Sequence, residues 1–474
     1  MNPPVVSQGR SASARPVSSG PVGPGGVAAA RGEPRAWRVA LRRCLEPVRH
    51  QWHPVVVPGL VLWAAAAYVG ASVLHPIDIA EYQRYAHGAL ASPLLHRFPN
   101  EYPAPALAVF LLPLVLPMAY PWAFAVVAGI VLLALLVSYG TSGVPGLDTD
   151  AARRLIVYLA LGAVLVLTAR YDIFAAAAAF WSVRAARQSR WSGAWNWSSV
   201  GFVLKVFPVA LWPVLLIGEW RATGRVPLRR LWWMAGSLVA VGVLPALFDP
   251  GAVANVAHYY LQRPAEIGSL PASLTVLVDR HGWQFNTGFH SLNIVSPMTG
   301  LLAALTELAA AVGCAWVWWA QARNRIPLEA AGLATLTLVV LGGKVLSVQY
   351  LIWLMPLWAL YRVRVSWALA SVANMFPFSY SEAATRVTSV HAHEYVTAMA
   401  LIYVTRDLLI GVGTVLWLRR VLVGHERRGP DRTLAPAEAR TRQPGVLRSA
   451  KSMAFGSLRA TTHPPKPAPV SRAP

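Results

Sequence analysis

Apolar runs separated by short polar loops fill most of the chain. The runs extend roughly over Val56–Leu74, Trp122–Tyr139, Leu155–Thr168, Leu231–Leu247, Leu301–Ala320, Leu328–Leu341, Tyr350–Leu360, Val365–Met375 and Val396–Leu418. They are apolar on all sides rather than along one stripe, and several approach the roughly 20 residues a helix needs to cross a hydrocarbon core of about 30 Å. The pattern predicts membrane-spanning helices. Two stretches are open to either of two readings. "APALAVFLLPLVLPM" is short and proline-broken, so it is either a crossing or a helix lying in the interface. "SSVGFVLKVFPVALWPVLLIG" is either one crossing or a broken hairpin.

The arginines in the loops choose between these readings. Cytoplasmic loops carry an excess of Lys and Arg. Arg153 and Arg154; Arg184, Arg187 and Arg190; Arg221, Arg225, Arg229 and Arg230; Arg323 and Arg325; Arg362 and Arg364; and Arg419 and Arg420 are therefore assigned to the cytoplasmic side. One simple threading satisfies them all. In it "PALAVFLLPL" stays on the outer side, Lys205–Pro208 forms the tip of a hairpin, about twelve helices cross, and both termini are cytoplasmic. The expected fold is an all-α polytopic membrane bundle with an interfacial helix in its first outer loop.

Composition agrees. Hydrophobic residues make up 55% of the 474 and charged residues only 13%, about half the share of an average soluble domain. A net charge of +22 raises nucleic acid as a partner. The basic residues, however, lie in the tails and loops, where they match lipid headgroups, and nucleic-acid binding is not expected. Cys44 and Cys314 are far apart and indicate neither a disulfide framework nor a zinc site. Residues 1–52 and 423–474 are rich in Pro, Gly, Ser, Ala and Arg and are expected to be disordered cytoplasmic tails flanking one membrane domain, 53–422. The first apolar run begins too far along for a cleaved signal peptide and is expected to remain as an anchor.

The same threading gathers the remaining polar clusters on the outer rim: "HPIDIAEYQRYAHGALASPLLHRFPNEYP", "ARYD", Lys205, "HYYLQRPAEIGSLPAS", "GGKVLSVQY" and "SYSEAATRVTSVHAHEY". Asp78 and Glu81 lie three apart and share a helix face with Tyr82 and Tyr85. A carboxylate there either activates a hydroxyl as general base or is one of the solvated acids of an interfacial helix. His75, Asp78 and His87 lack the spacing of helical metal ligands. Lys205 interrupts an apolar run, where a lysine at mid-membrane costs about 2.5–3.5 kcal/mol on insertion scales. It either snorkels at the rim or contacts a phosphate. Lys344 has the same setting. Arg170 with Asp172, and Arg263 with Glu266, are candidate site groups that also read as mutual structural pairs. "WSGAWNWSSV" reads as an interfacial aromatic belt, and "FAAAAAFW" as small-residue helix packing.

These segments, in this order, resemble the membrane-embedded GT-C glycosyltransferases, and most closely the polyprenyl-phosphate-mannose-dependent mannosyltransferases of glycosyltransferase family 87. The resemblance rests on "DIAEYQRYAHGAL" followed by "NEYPAPALAVFLLPL"; on "RYDIFAAAAAFWSVRAARQSRWSGAWNWSSVGFVLKVFPVALWPVLL"; on "RPAEIGSLPASLTVL"; and on "GGKVLSVQYLIWLMPL", together most of residues 75–361. It implies an active site facing outward at the cell membrane, a polyprenyl-phosphate sugar donor, a glycolipid or polysaccharide acceptor, and neither metal nor cofactor. It implies Asp78 as the catalytic base and matches Lys205 and Lys344 to the family's two lysines; the charge growing on a departing polyprenyl phosphate makes these two and Arg170 the candidate donor-phosphate contacts. Glu81, Tyr82, Tyr102, Asp172, Arg263, Glu266, Ser269, Gln349 and Tyr350 would line the substrates. The chain departs from the family in reading "YPAP" for a fuller "YPP" and "KVLSVQY" for "KVFSPQY", and in adding Glu81, which leaves the sugar (mannose or arabinofuranose) and the acceptor open. Two other classes remain: a carrier of lipid-linked sugars, which should show paired repeats and broken helices at the midplane, and a non-catalytic envelope-assembly protein keeping the fold. No convincing internal repeat is visible.

Overall fold

The computed structural model describes residues 52–73, 77–91, 98–99, 101–141, 147–279, 282–289, 291–384 and 392–426. Most of both expected tails and His75 lie outside these residues. Almost everything described is helical: α1 Val57–Tyr68, α2 Ile77–Ala91, α3 Leu107–Leu111, α4 Tyr120–Gly140, α5 Thr149–Gly162, α6 Asp172–Arg187, α7 Trp191–Leu204 and α8 Leu211–Thr223. There follow α9 Leu231–Leu238, α10 Leu244–Phe248, α11 Pro250–Gln262, α12 Leu270–Val278, α13 Pro297–Ala322, α14 Leu328–Gly342, α15 Leu351–Trp358, α16 Val365–Ala384 and α17 Ala392–Glu426.

Among the described residues five helices are long and apolar enough to cross a membrane: Pro54–Ala71, Tyr120–Gly140, Leu228–Phe248, Pro297–Ala322 and His393–Gly424. Four shorter apolar helices accompany them, Ala104–Val115, Leu328–Gly342, Val348–Trp358 and Val365–Phe376. The protein is an all-α membrane protein. α14 and α15 are short but enclosed by other helices, with Leu333, Leu336, Leu351 and Leu354 fully buried. α9, α10 and α13 instead turn most of their surface outward, as helices facing lipid do (Trp232 is 80% exposed and Leu301 61%). α17 runs past the expected domain end at 422. One feature is absent from the sequence reading: a small antiparallel sheet ordered β1–β3–β2, from β1 Ala265–Glu266, β2 Gln284–Asn286 and β3 Asn293–Val295. Strands of two or three residues carry no period for a sequence to show.

The helix over 191–223 breaks at Lys205, whose backbone is extended (φ −156°, ψ 132°), before a single 3₁₀ turn at Phe207–Ala210. The arms then fold back on each other. Phe202 meets Trp212 with ring centroids 5.0 Å apart, and Trp195 Nε1 donates to Glu219 at 2.8 Å. Trp195, expected in an interfacial belt, is wholly buried, because its indole nitrogen and Arg230 share the Glu219 carboxylate inside the hairpin; Arg230 Nη2 lies 2.9 Å from that carboxylate.

The loop arginines gather at one end. Arg187 faces Glu329 at 3.7 Å, Arg221 donates to the Gln321 carbonyl at 2.9 Å, Arg154 to the Ala359 carbonyl at 2.8 Å, and Arg153 to the Pro54 carbonyl at 3.3 Å. α6 runs from Asp172 to Arg187, which at about 1.5 Å per residue separates its ends by roughly 22 Å. The arginines and the candidate site lie at opposite ends of it.

Candidate functional site

Three consecutive residues, Arg170, Tyr171 and Asp172, lead into α6 and organise the site. Arg170 forms an ion pair with Asp78, on the first turn of α2, across 92 positions of sequence. Asp172 is 1% exposed and receives two donors on Oδ1, Lys205 Nζ at 2.7 Å and Trp353 Nε1 at 2.6 Å. The local Arg170–Asp172 pair that the sequence allowed is thus not the one formed. Each residue pairs across the bundle instead, and Tyr171, between them in sequence, lies under Lys205 and against Tyr82.

Lys205 reaches Asp172 because the chain is extended at the hairpin tip. Its ammonium also sits over three rings, 4.7 Å from the Tyr171 centroid, 5.2 Å from Trp353 and 5.3 Å from Tyr350. Such ring faces attract a desolvated cation. Phe207 stacks on Trp353 at 4.0 Å and Tyr350 on the same indole at 4.0 Å, which fixes the cage. Asp78 and Arg170 both act electrostatically on Lys205, so the two ion pairs form one charged cluster.

A second aromatic layer supports Asp78 and Arg170. Tyr82, one turn along α2 from Asp78, stacks on Phe110 at 4.4 Å and meets Tyr102 and Tyr171 edge-on at 5.7 Å each. Phe110 is held from behind by Tyr120, whose hydroxyl donates to its carbonyl at 2.8 Å. Tyr171 Oη is buried with no hydrogen-bond partner. A buried, unpaired hydroxyl on a ring that Lys205 covers is a natural contact for a polar ligand. Glu81 does not join this cluster; it pairs with Arg84, whose side chain is 70% exposed.

The remaining predicted residues lie on the adjoining loops. Arg263 pairs with Glu266 at 3.3 Å, and both Glu266 oxygens accept from Ser347 Oγ at 2.7 Å. Burial is the largest single influence on Arg263 and works against its charge, but the Glu266 carboxylate together with Tyr350, Tyr259 and Tyr260 outweighs it and raises its pKa. Arg263 and Tyr260 act electrostatically on Tyr350, which joins this group to the Lys205 cage. Ser269 is fully buried and donates to the Glu266 carbonyl at 2.7 Å, a bond that shapes the loop. Gln349 is 7% exposed with Oε1 unpartnered. Lys344 stands apart from the other cations: its ammonium donates to the Leu261 carbonyl at 3.1 Å and lines a neighbouring cavity with Arg263.

Sequence reasoning missed Tyr171, Trp353 and Arg406. Trp353 lies three residues after Tyr350, one helical turn, and that spacing was the available signal. Arg406 is fully buried in α17 and donates to the Gly268 carbonyl at 2.5 Å, to Asn374 at 3.0 Å and to Asp407 at 2.9 Å. Asn374 in turn donates to the Val348 carbonyl at 2.7 Å. The two residues tie the loop bearing Glu266 and Ser269 to the loop bearing Gln349 and Tyr350.

The cluster offers one carboxylate, Asp78, that is 19% exposed and anchored through a single oxygen. It also offers two cations, each already matched by a carboxylate. No known protein family matches the chain, and no curated protein is significantly similar to it.

Proposed function

We propose that the protein is an integral membrane glycosyltransferase that moves a hexose, mannose in the first instance, from a polyprenyl-phosphate donor to a glycolipid or polysaccharide acceptor on the extracytoplasmic face. One observation carries the reading: Asp78, Arg170 and Lys205, from three separate segments, meet at the end of the bundle opposite the loop arginines. Positive loops favour the cytoplasm, which turns that end outward.

The chemistry follows from charge. Asp78 takes the proton of the acceptor hydroxyl while that oxygen attacks the anomeric carbon. The bond from that carbon to the phosphate oxygen breaks, and its electron pair leaves with the polyprenyl phosphate. A phosphodiester carries about one negative charge; the departing monoester approaches two near neutral pH, because its second pKa is about 6. As Asp78 becomes neutral it releases the Arg170 guanidinium to follow the growing charge on the leaving group. Arg170 and Lys205 then bind the transition state more strongly than the ground state, which is what accelerates a reaction. Asp172 and the three rings hold Lys205 in place. A single displacement with one base inverts the anomeric configuration.

The test is reconstitution of the full chain in liposomes with radiolabelled polyprenyl-phosphate mannose and an envelope lipid extract. Transfer should occur, survive chelation of divalent metals, and fall by about 10²–10⁴ in Asp78→Asn, the usual range for loss of a general base. Wild-type rates in Asp78→Asn would remove the catalytic assignment. Movement of the donor across the bilayer without transfer would identify a carrier instead.

A further inference from the structure

Beside the charged cluster lies a separate cavity of about 380 Å³, between the first turns of α13 and the small sheet. Its lining includes Arg263, Lys344, Thr299, Gly300, Ala303 and Glu307. Its volume falls within the range of small-molecule sites. The transfer mechanism uses none of the α13 residues.

The lining is chemically specific. Lys344 has no carboxylate within ion-pair distance among the described residues; the ammonium bonds only a backbone carbonyl. Thr299 is 4% exposed, and its Oγ1 has no hydrogen-bond partner. Arg263 Nε is likewise buried and unpartnered. Buried polar atoms are nearly always hydrogen-bonded, so these point to a bound group. Glu307 completes the set as an anion on the same wall, about 15 Å along α13 from Pro297.

The position of Glu307 identifies the surroundings. Leu301, Leu305, Leu308 and Val312 on α13 are all exposed, and their three- and four-residue spacing makes them a stripe facing the hydrocarbon. An exposed carboxylate next to that stripe is costly in lipid unless it faces a polar group. The cavity therefore meets the bilayer from the side and presents cations and an anion together.

We propose that this cavity holds the headgroup of an amine-bearing phospholipid, its phosphate on Lys344 and Arg263 and its ammonium on Glu307. The lipid is a resident of the protein's rim, and its binding does not depend on the transfer reaction. Thr299 donates to the phosphate, and Ala303 and Gly300 leave room for the glycerol end. A Cβ built at Gly300 meets no heavy atom within 4 Å, so the wall is open there.

The experiment uses the full chain in nanodiscs of equal phosphatidylethanolamine and phosphatidylglycerol. Gentle extraction and native mass spectrometry then read the lipid retained. Wild type should keep phosphatidylethanolamine in preference to phosphatidylglycerol. Glu307→Gln should reduce that preference about tenfold while still holding a lipid, and Lys344→Met should weaken retention of both lipids by about tenfold, as expected for loss of a charge-assisted bond. Gly300→Phe keeps every charge and fills the space, and should also lose the lipid. Equal retention of the two lipids by wild type would overturn the proposal, as would retention unchanged in both Lys344→Met and Gly300→Phe. Displacement by millimolar inorganic phosphate would make the occupant a free phosphate, and displacement by added polyprenyl phosphate would make it the donor; either contradicts the proposal. Equal retention, unchanged retention or displacement by inorganic phosphate leaves the transferase reading untouched; only displacement by polyprenyl phosphate bears on it, by moving the donor phosphate away from Arg170 and Lys205.

Discussion

Asp172 is the residue on which the charged cluster turns. Its Oδ1 takes Lys205 and Trp353 together, and both carboxylate and ammonium are almost wholly buried. Removing one partner of such a pair strands the other charge, at a cost of about 3–5 kcal/mol. Lys205→Met should therefore lower the unfolding midpoint in detergent, and the added change Asp172→Asn should recover part of the loss; an additive double variant would show the pair to be uncoupled. A sequence shows Asp172 and Lys205 as isolated charges in apolar surroundings, and that much was legible. Their partnership was not, because it spans 33 positions, and Arg170 stood nearer. Tyr171 and Trp353 were hidden for another reason: an aromatic residue in an apolar helix looks the same whether it packs on lipid, on core or on a cation.

At the level of elements, the hairpin of α7 and α8 holds Lys205 at its tip and is fastened at its base by Glu219. That carboxylate takes Trp195 and a two-pronged contact from Arg230, whose side chain is 5% exposed. Glu219→Ala should destabilise the protein by about 3–5 kcal/mol, because Arg230 is left buried and uncompensated. Thermal unfolding followed by size-exclusion chromatography reads this, and an unchanged midpoint would count against the clasp. A second contact is steric. At Gly162, where α5 ends, a Cβ would lie 2.7 Å from both Met355 Cε and Ser371 Cβ and 2.9 Å from the Ser371 backbone. Gly162→Val should then cost about 1–3 kcal/mol by overpacking. Long helices such as Tyr120–Gly140 were legible because apolar length alone declares them. α14 and α15 are less so: neighbouring helices rather than span length make them stable, and a proline inside α15 obscures its period further.

Across the whole molecule the charges separate by function. Arginines tie loop to loop at one end, while acid–base pairs from distant segments meet at the other, with α6 as the rod between them. Transfer on the extracytoplasmic face requires that second end to face outward. Paired single cysteines in a Cys44→Ser, Cys314→Ser background test it directly, one replacing Arg225 in the exposed loop after α8 and one replacing Leu261 beside the site. An impermeant maleimide applied to intact cells should label the cysteine at 261 and reach the one at 225 only after the membrane is opened. Labelling of position 225 in intact cells, with position 261 protected, would turn the charged end inward and contradict an extracytoplasmic transferase.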